Sequence, residues 1–396
     1  MNKYRYLEKK FLLKYDLSDD FLKKINVKAK DIIPLRKVFV LNTQSGKKVL
    51  KRLDYDEDRI VFVNTCIKNL RTIDKNIIKL NEFSDGKDYI YWKNNYYVLM
   101  DLLPEREVTF SNPIEFNMCG KALANLHLSS SKVLNNIAKD LNKEVEDLLD
   151  EDLILKMNKR IIDIYEIKKW VERYKYRNEF DSIFLSIVDE YIAEMKLAME
   201  LLKRTNYLDM RNNLSNVVVC HNDLAERNFL ISNDDIYIID FDYCSVDLKV
   251  IDIADLLLKG IKESAFDIDK SKEVLKEYSG IFNISKDEYS LLYILMLFPR
   301  DIFSIIKSYY HNEKQWDYDV FLDRFKSKLL NEGARRDFLQ EFKKSLIIWW
   351  IKIRKELNEI NSFLILFFHC WLISINSLDS CIIPREFRTP CKSFLY

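Results

Sequence analysis

The sequence predicts an α+β protein, with a small β-rich lobe at the N-terminus and a large, mainly helical lobe after it. Three observations predict this. Glycine and proline number only six each in 396 residues, about 1.5% apiece against averages of ~7% and ~5%, which leaves little material for linkers and favours helices. The first hundred residues alternate short β-rich runs with turn signals. From Pro104 onward the apolar residues recur at three- and four-residue steps, the period of a buried helical face.

Taken in order, Val38 to Leu41 and Val49 to Leu53 flank Asn42-Thr43-Gln44-Ser45-Gly46 and read as a hairpin. Tyr89 to Trp92 and Tyr96 to Met100, around Lys93-Asn94-Asn95, read as a second one, and the spacing predicts a helix over Arg59 to Leu70 between them. This lobe ends at residue 103. In the second, residues 104–345, Asn112-Pro113 supplies an N-cap and a first-turn proline for a helix through LANLHLSS. Phe184, Ile187, Val188, Tyr191, Ile192, Met195, Met199 and Leu202 place one buried face on a helix over Phe180 to Arg204. Ser285-x-x-Glu288 is a capping box opening a helix toward Tyr310, with Pro299 as a kink or boundary. Residues 346–396 form an apolar tail. Its runs Leu346 to Ile351 and Phe363 to Ile375 read as helices packed on the large lobe, with docking to a membrane or another surface as the alternative; the second run is shorter than the ~20 residues a spanning helix needs.

Composition narrows the function classes. Lys+Arg of 63 against Asp+Glu of 62 leaves a net charge of +1, so no global field recruits nucleic acid or acidic lipid, and no basic groove with interleaved aromatics suggests a nucleic-acid partner. Apolar residues at 48% and charged residues at 32% describe a folding, soluble chain. The seven cysteines form no C-x-x-C pair, which reads as reduced thiols in the cytoplasm. The four histidines suggest no zinc cluster.

Within the helical lobe lies one strand-rich island: NVVVC, then HNDLAERN, FLIS, a polar turn at Asn233-Asp234-Asp235, and IYIIDFD. It contains His221-x-Asp223, Asn228 after four intervening residues, and Asp240 at the end of the next apolar run. Phosphoryl transfer from Mg-ATP needs a carboxylate beside the acceptor hydroxyl, and oxygen ligands for a Mg²⁺ that bridges the phosphates. Asp223, Asn228 and Asp240 supply that set. Taken without its flanks, H-x-D-x-x-x-x-N could equally be a polar loop making local turn hydrogen bonds; the following strand, turn and Ile-Asp favour the catalytic reading.

CHNDLAERNFLI followed by YIIDFDYCSVDLKVIDIADLL resembles the catalytic segment of the aminoglycoside phosphotransferase and choline kinase group, which shares the two-lobed protein-kinase fold. More narrowly, KKVLKRLDYDEDRIVF, LANLHLSS, NEFDSIFL, LLYILMLFPRDIFSIIKSYY, Trp316 and VFLDRF are similar to segments of the CotS family of bacterial spore coat proteins. The likeness runs from about Val38 to about Ser345. It implies that Asp223 is the catalytic base, that Asn228 and Asp240 bind magnesium, and that Lys51 holds the nucleotide phosphates. It also implies that Met100, Asp101 and Leu102 lie in the linker that offers backbone groups to adenine. His221 is read as structural, and Asp252 as steadying the catalytic loop from a helix start. ATP with Mg²⁺ is the implied cofactor pair, with an unidentified small-molecule or protein acceptor. The family also implies other coat proteins as partners, and a place first in the sporulating cell's cytoplasm and then in the spore coat.

Two departures from the family pattern stand out. A kinase-type lysine is paired with a glutamate on the first helix, yet Arg59 to Thr72 contains no acid, and Ile67, Lys68 and Asn69 stand where the glutamate is expected. Nor does any glycine precede Gly46, so a glycine-rich phosphate loop is missing. These features leave open either an active phosphotransferase or a kinase-shaped coat scaffold that has lost efficient chemistry.

Overall fold

A computed structural model describes residues 18–35, 38–44, 46–83, 85–103, 105–232, 235–264 and 266–345. The chain divides into two compact units, Met1–Phe342 and Lys343–Tyr396; the apolar runs expected at Leu346 to Ile351 and Phe363 to Ile375 lie outside the described residues.

The first unit has the two lobes of a kinase-like α+β fold. Its small lobe opens with helix α1 (Asp19–Lys24) and carries strands β1 (Ala29–Leu35), β2 (Val38–Thr43), β3 (Gly46–Leu53), β4 (Ile90–Trp92) and β5 (Asn95–Asp101), with helix α2 (Glu57–Ile73) after β3. The strands form one antiparallel sheet in the order β1-β2-β3-β5-β4. Both hairpins expected from sequence are present. The first is tighter than expected, because Thr43 pairs directly with Gly46. Gly46 sits at φ 109°, a conformation that costs a residue without Cβ almost nothing. The second turns through Lys93 (φ 44°) and Asn94 (φ 63°), the doubly left-handed turn that matches strand twist.

Side-chain alternation along β3 decides which residues face α2. Leu50 pairs with Phe39 and Leu99 and is buried with them beside Phe21 of α1. Lys51, one residue on, points to the opposite face, where its register partner Val98 packs with Ile60 of α2.

The large lobe is built on β6 (Arg106–Glu107) and helices α3 (Pro113–Asp140), α4 (Leu153–Glu172), α5 (Glu179–Lys203), α6 (Tyr207–Asn212), α7 (Val250–Gly260), α8 (Ile268–Ser279), α9 (Lys286–Leu297), α10 (Arg300–Tyr310) and α11 (Tyr318–Leu330). Both expected caps form: Asn112 accepts from Ile114 N at α3, and the Ser285/Glu288 capping box opens α9. A further capping box, Asn178/Asp181, opens α5. Lys286–Tyr310 has the composition of a bilayer-spanning segment, but Phe298-Pro299 breaks it into α9 and α10, and 67% of its apolar window is buried inside the protein. Tyr309 stacks on Phe180 with ring centres 4.0 Å apart, as an aromatic core pair.

The strand-rich island crosses this helical lobe. Strand β7 (Val217–Cys220) pairs with β10 (Ser245–Leu248), and β8 (Phe229–Ser232) pairs with β9 (Asp235–Ile238) and with β6. All four residues of β7 are buried, packed on α3. The two short sheets hold the polar loop between β7 and β8 and the one after β9 against each other.

Candidate active site

Asp223 lies in the loop after β7, Asn228 immediately before β8, and Asp240 two residues past β9. Because Phe229 pairs with Ile238, the hairpin brings Asn228 beside the residue preceding Asp240, and Ile239 N donates to Asn228 O at 3.0 Å. The structure therefore gathers all three at one end of one hairpin.

Asp252 anchors the loop that carries Asp223. Fully buried in the first turn of α7, its carboxylate accepts from His221 N (2.6 Å) and Asn222 N (2.8 Å) and bonds His127 Nε2 (3.1 Å). Burial alone would raise its pKa; the bonds from His127, reinforced by His221, hold it below the usual carboxylate range. His221 is itself fully buried, with Nε2 on Ile239 O (2.9 Å) and Nδ1 accepting from Asp223 N (3.2 Å). Nε2 thus joins this loop to the one after β9, while Nδ1 braces the turn that carries Asp223. His127, Cys220 and Asp252 offer ligand atoms within 4.8 Å of one another, a proximity that sequence spacing did not suggest. Their atoms have partners: His127 Nδ1 on Tyr278 Oη (2.7 Å), and Cys220 Sγ donating to Leu248 O (3.4 Å).

Asp223 is held on both oxygens. Lys259 Nζ lies 2.7 Å from Oδ1, while Arg227 (2.9 Å) and Asn228 Nδ2 (3.1 Å) donate to Oδ2. Burial pushes its pKa up, but Lys259, Arg227 and Asn228 outweigh that and hold the carboxyl below its ordinary range. Oδ2 spends both lone pairs on Arg227 and Asn228, whereas Oδ1 retains one beside Lys259, so the ionised group can still accept a hydroxyl proton through Oδ1.

Lys51 Nζ reaches across from the small lobe to Asp240 Oδ1 and to Asp242 Oδ1, each at 2.6 Å. Burial works against its charge, yet Asp242 and Asp240 together hold its pKa above the ordinary lysine value. The glutamate sought on α2 is replaced by a carboxylate from the loop after β9. Asp242 is in turn fixed by Tyr55 Oη, which donates to Oδ1 (3.1 Å), and by Arg59, which donates to the Asp242 and Cys244 carbonyls (2.8 and 2.6 Å). The α2 positions named from sequence face elsewhere: Lys68 pairs with Asp88 (2.8 Å), Asn69 with Asp140 (2.9 Å), and Ile67 is buried.

Asp240 adopts φ 70°, ψ 60°, and Asn222 φ 63°. A left-handed conformation costs a residue with a Cβ roughly 1–2 kcal/mol. For Asn222 two bonds offset the cost, from Nδ2 to Tyr243 O (3.0 Å) and Ser245 Oγ (2.8 Å). In the linker, Met100 and Asp101 belong to β5, and the Asp101 carboxylate is taken by Lys48 and Asn81. The Leu102 N–H donates to Lys47 O at 3.0 Å, extending the ladder by one residue. That amide is already occupied, so Leu102 could serve adenine only through its carbonyl.

Sequence reasoning missed Asp242, Lys259, Arg227 and Asp255. Asp255 accepts from Leu224 N (2.9 Å) and from Lys259 (2.7 Å), four residues on along α7. The i,i+4 spacing of Asp255 and Lys259 was readable as a helix pair; that Lys259 also reaches Asp223 was not.

The chain matches the family model for choline/ethanolamine kinases over residues 107–290, a span that includes Asp223, Asn228, Asp240 and Lys259 and excludes Lys51. It is 19% identical over 325 residues to spore coat protein S of Bacillus subtilis, covering 77% of this chain and 86% of that one. Among solved structures, it is similar to an aminoglycoside phosphotransferase from Alicyclobacillus acidocaldarius (TM-score 0.69, 16% identity, 84% of this chain and 97% of that one). It is also similar to an AMP-bound spectinomycin phosphotransferase (TM-score 0.59, 17% identity, 80% and 96%). The chain thus has the two-lobed kinase-like fold of the aminoglycoside phosphotransferases, matches the choline/ethanolamine kinase model over residues 107–290, and is similar in sequence to a spore coat protein.

Proposed function

We propose that the protein transfers the γ-phosphoryl group of ATP to a hydroxyl of a small molecule or of a coat component, and that it works at the spore coat. The observation that carries this reading is the convergence of Asp223, Asn228 and Asp240 at one hairpin end, with Lys51 ion-paired to Asp240. Lys51 aligns the phosphates from the small lobe while Asp242 restrains it. Asp223 orients the acceptor hydroxyl. A bond forms between that oxygen and the γ-phosphorus, the bond to the β–γ bridging oxygen breaks to leave ADP, and Asp223 takes the hydroxyl proton and passes it to water. Held as an anion by Lys259 and Arg227, Asp223 is a weak base, which suits a loose transition state in which positioning matters more than early deprotonation.

The donor set fits Mg²⁺. The Asp240 carboxylate is only partly covered, at 36% exposed, and the Asn228 amide nitrogen is committed to Asp223, which leaves its oxygen as the ligand end. Magnesium asks for few protein oxygens, and when bound it neutralises charge on the transferring phosphates.

A second reading, a coat scaffold with little chemistry, is favoured by the acid-free stretch from Arg59 to Thr72 and by the likeness to spore coat protein S. Asp223→Asn separates the two. The active reading expects Mg-ATP affinity within about twofold and ADP formation lowered about 10²–10⁴-fold; equal ADP formation by both proteins would reject it.

A further inference from the structure

Helix α7 presents three charged side chains to the catalytic loop. Asp252, Asp255 and Lys259 lie three and four residues apart, the spacing that puts side chains on one face of a helix. The first two hold the loop by its backbone: Asp252 accepts from His221 N and Asn222 N, and Asp255 Oδ2 accepts from Leu224 N at 2.9 Å. The third holds the loop by its reacting side chain. Lys259 Nζ lies 2.7 Å from Asp223 Oδ1 and 2.7 Å from Asp255 Oδ2. Arg300, which opens α10, reaches the other oxygen of Asp255 at 3.3 Å. Charges therefore alternate from Asp223 through Lys259 and Asp255 to Arg300, each held by a neighbour of opposite sign.

The contacts of Asp223 are not equivalent. Arg227 and Asn228, which donate to Oδ2, belong to the same loop as Asp223 and move with it. The Arg227 side chain is also 50% exposed, and an ion pair so open to solvent restrains little. Lys259 comes from a different element, is 28% exposed, and has its ammonium fixed between two carboxylates. It ties the Asp223 carboxylate to α7 and thereby to the body of the large lobe. The terminal torsion of an aspartate is broad, so a carboxylate held from its own loop alone can swing. Lys259 settles which way it faces, with Oδ1 turned to the helix and its remaining lone pair free. Without the ammonium, Asp223 and Asp255 would repel each other, and Asp223 would turn toward Arg227.

We propose that Lys259 is a positioning residue of the transfer reaction: it acts through Asp223, fixing the direction in which Oδ1 meets the acceptor hydroxyl, while Asp255 and Arg300 fix the ammonium from behind. The proposal rests on the phosphotransferase reading above and deepens it. Among the described contacts, Lys259 bonds Asp223 and Asp255 and none of Lys51, Asn228 or Asp240, so its loss should spare nucleotide binding.

The test is steady-state ADP formation by the full-length protein at varied Mg-ATP, with water as the acceptor. Lys259→Met is expected to lower kcat about 10–100-fold and to leave KM for Mg-ATP within about twofold, because misplacing a reacting group costs turnover rather than binding. Lys259→Arg keeps a charge that can pair with both carboxylates and is expected to stand at least about threefold above Lys259→Met. In an Asp223→Asn background, Lys259→Met should lower kcat by no more than about twofold further, since residues that act as a unit are not additive. Asp255→Asn keeps an oxygen for Leu224 N and removes the charge behind the ammonium; its kcat should fall about 3–10-fold, and it serves if Lys259→Met does not melt cooperatively. A kcat within about twofold of wild type, a loss confined to KM, an equal further loss in the Asp223→Asn background, or no recovery in Lys259→Arg overturns the proposal and leaves the phosphotransferase reading standing. Equal ADP formation by wild type and Asp223→Asn overturns that reading, and the role of Lys259 with it.

Discussion

Asp242→Asn isolates the restraint on Lys51. The substitution keeps the size of the side chain and its ability to accept from Tyr55, and removes one of two charges lying 2.6 Å from Nζ. Two opposite unit charges ~4 Å apart are worth about 4 kcal/mol at an effective dielectric near 20. The lysine is 15% exposed and Asp242 25%, so solvent screening reduces this to about 2 kcal/mol. In the proposed site Asp240 would hold the metal, and Asp242 is then the carboxylate that restrains Lys51. The loss should appear in Mg-ATP affinity as a weakening of about 20–30-fold, at 1.36 kcal/mol per tenfold. Equilibrium titration of nucleotide measures it directly. Glu57→Gln is the control. Glu57 is the only glutamate on α2, and it bonds Tyr89 (2.5 Å) and Tyr96 (3.3 Å) on the sheet instead of Lys51, so affinity should stay within about twofold. An Asp242→Asn protein that binds within threefold of wild type, or an equal loss in Glu57→Gln, would refute the reasoning.

Two further substitutions test the fold beneath the site. Asp247 is 1% exposed, burial pushes its carboxyl up to about 6, and Lys156 is 3.9 Å away. In the unfolded chain the group loses its proton near ~3.9; between that pH and about 6 the folded protein therefore binds more protons, and this group makes stability fall as pH rises. Asp247→Asn should raise stability at pH 7 by about 1–3 kcal/mol and leave it unchanged near pH 4, read by thermal unfolding at both pH values; equal effects at both would contradict the assignment. Gly260 ends α7 where a Cβ would overlap the fully buried Phe116 ring. Gly260→Ala should cost about 1–3 kcal/mol despite alanine's better helix propensity, and a stabilised variant would show that the ring can yield.

Local grammar carried much of this architecture. The hairpins around Gly46 and Asn94, the caps at Asn112 and Ser285 and the long face of α5 were readable because each depends on residues within one turn or one strand pair. The set of Asp223, Asn228 and Asp240 was readable for the same reason, since one hairpin carries two of the three and a short loop the other. What the sequence did not reveal depends on distance along the chain. The Lys51–Asp242 pair joins residues 191 apart through the closure of two lobes, and a search for an acid on the nearest helix looks in the wrong element. Lys259 is an ordinary exposed-looking lysine until α7 brings it under Asp223. The left-handed backbone at Asp240 is set by the loops that His221 ties together, a constraint without a local signature. Leu102 was assigned from its place after β5, whereas the fate of its amide was settled by the β3 carbonyl opposite.

The most direct test of the central claim, a nucleotide site built around Asp240, is thermal unfolding of the wild type and of Asp240→Asn with and without Mg-ATP. Ligand at 100 times its dissociation constant adds ~2.7 kcal/mol of stability, a rise of a few degrees in Tm. The predicted result is that rise in the wild type and its loss in Asp240→Asn, whose melting without ligand stays cooperative. An equal rise in both proteins would remove Asp240 from the site, and no rise in either would contradict the nucleotide site itself.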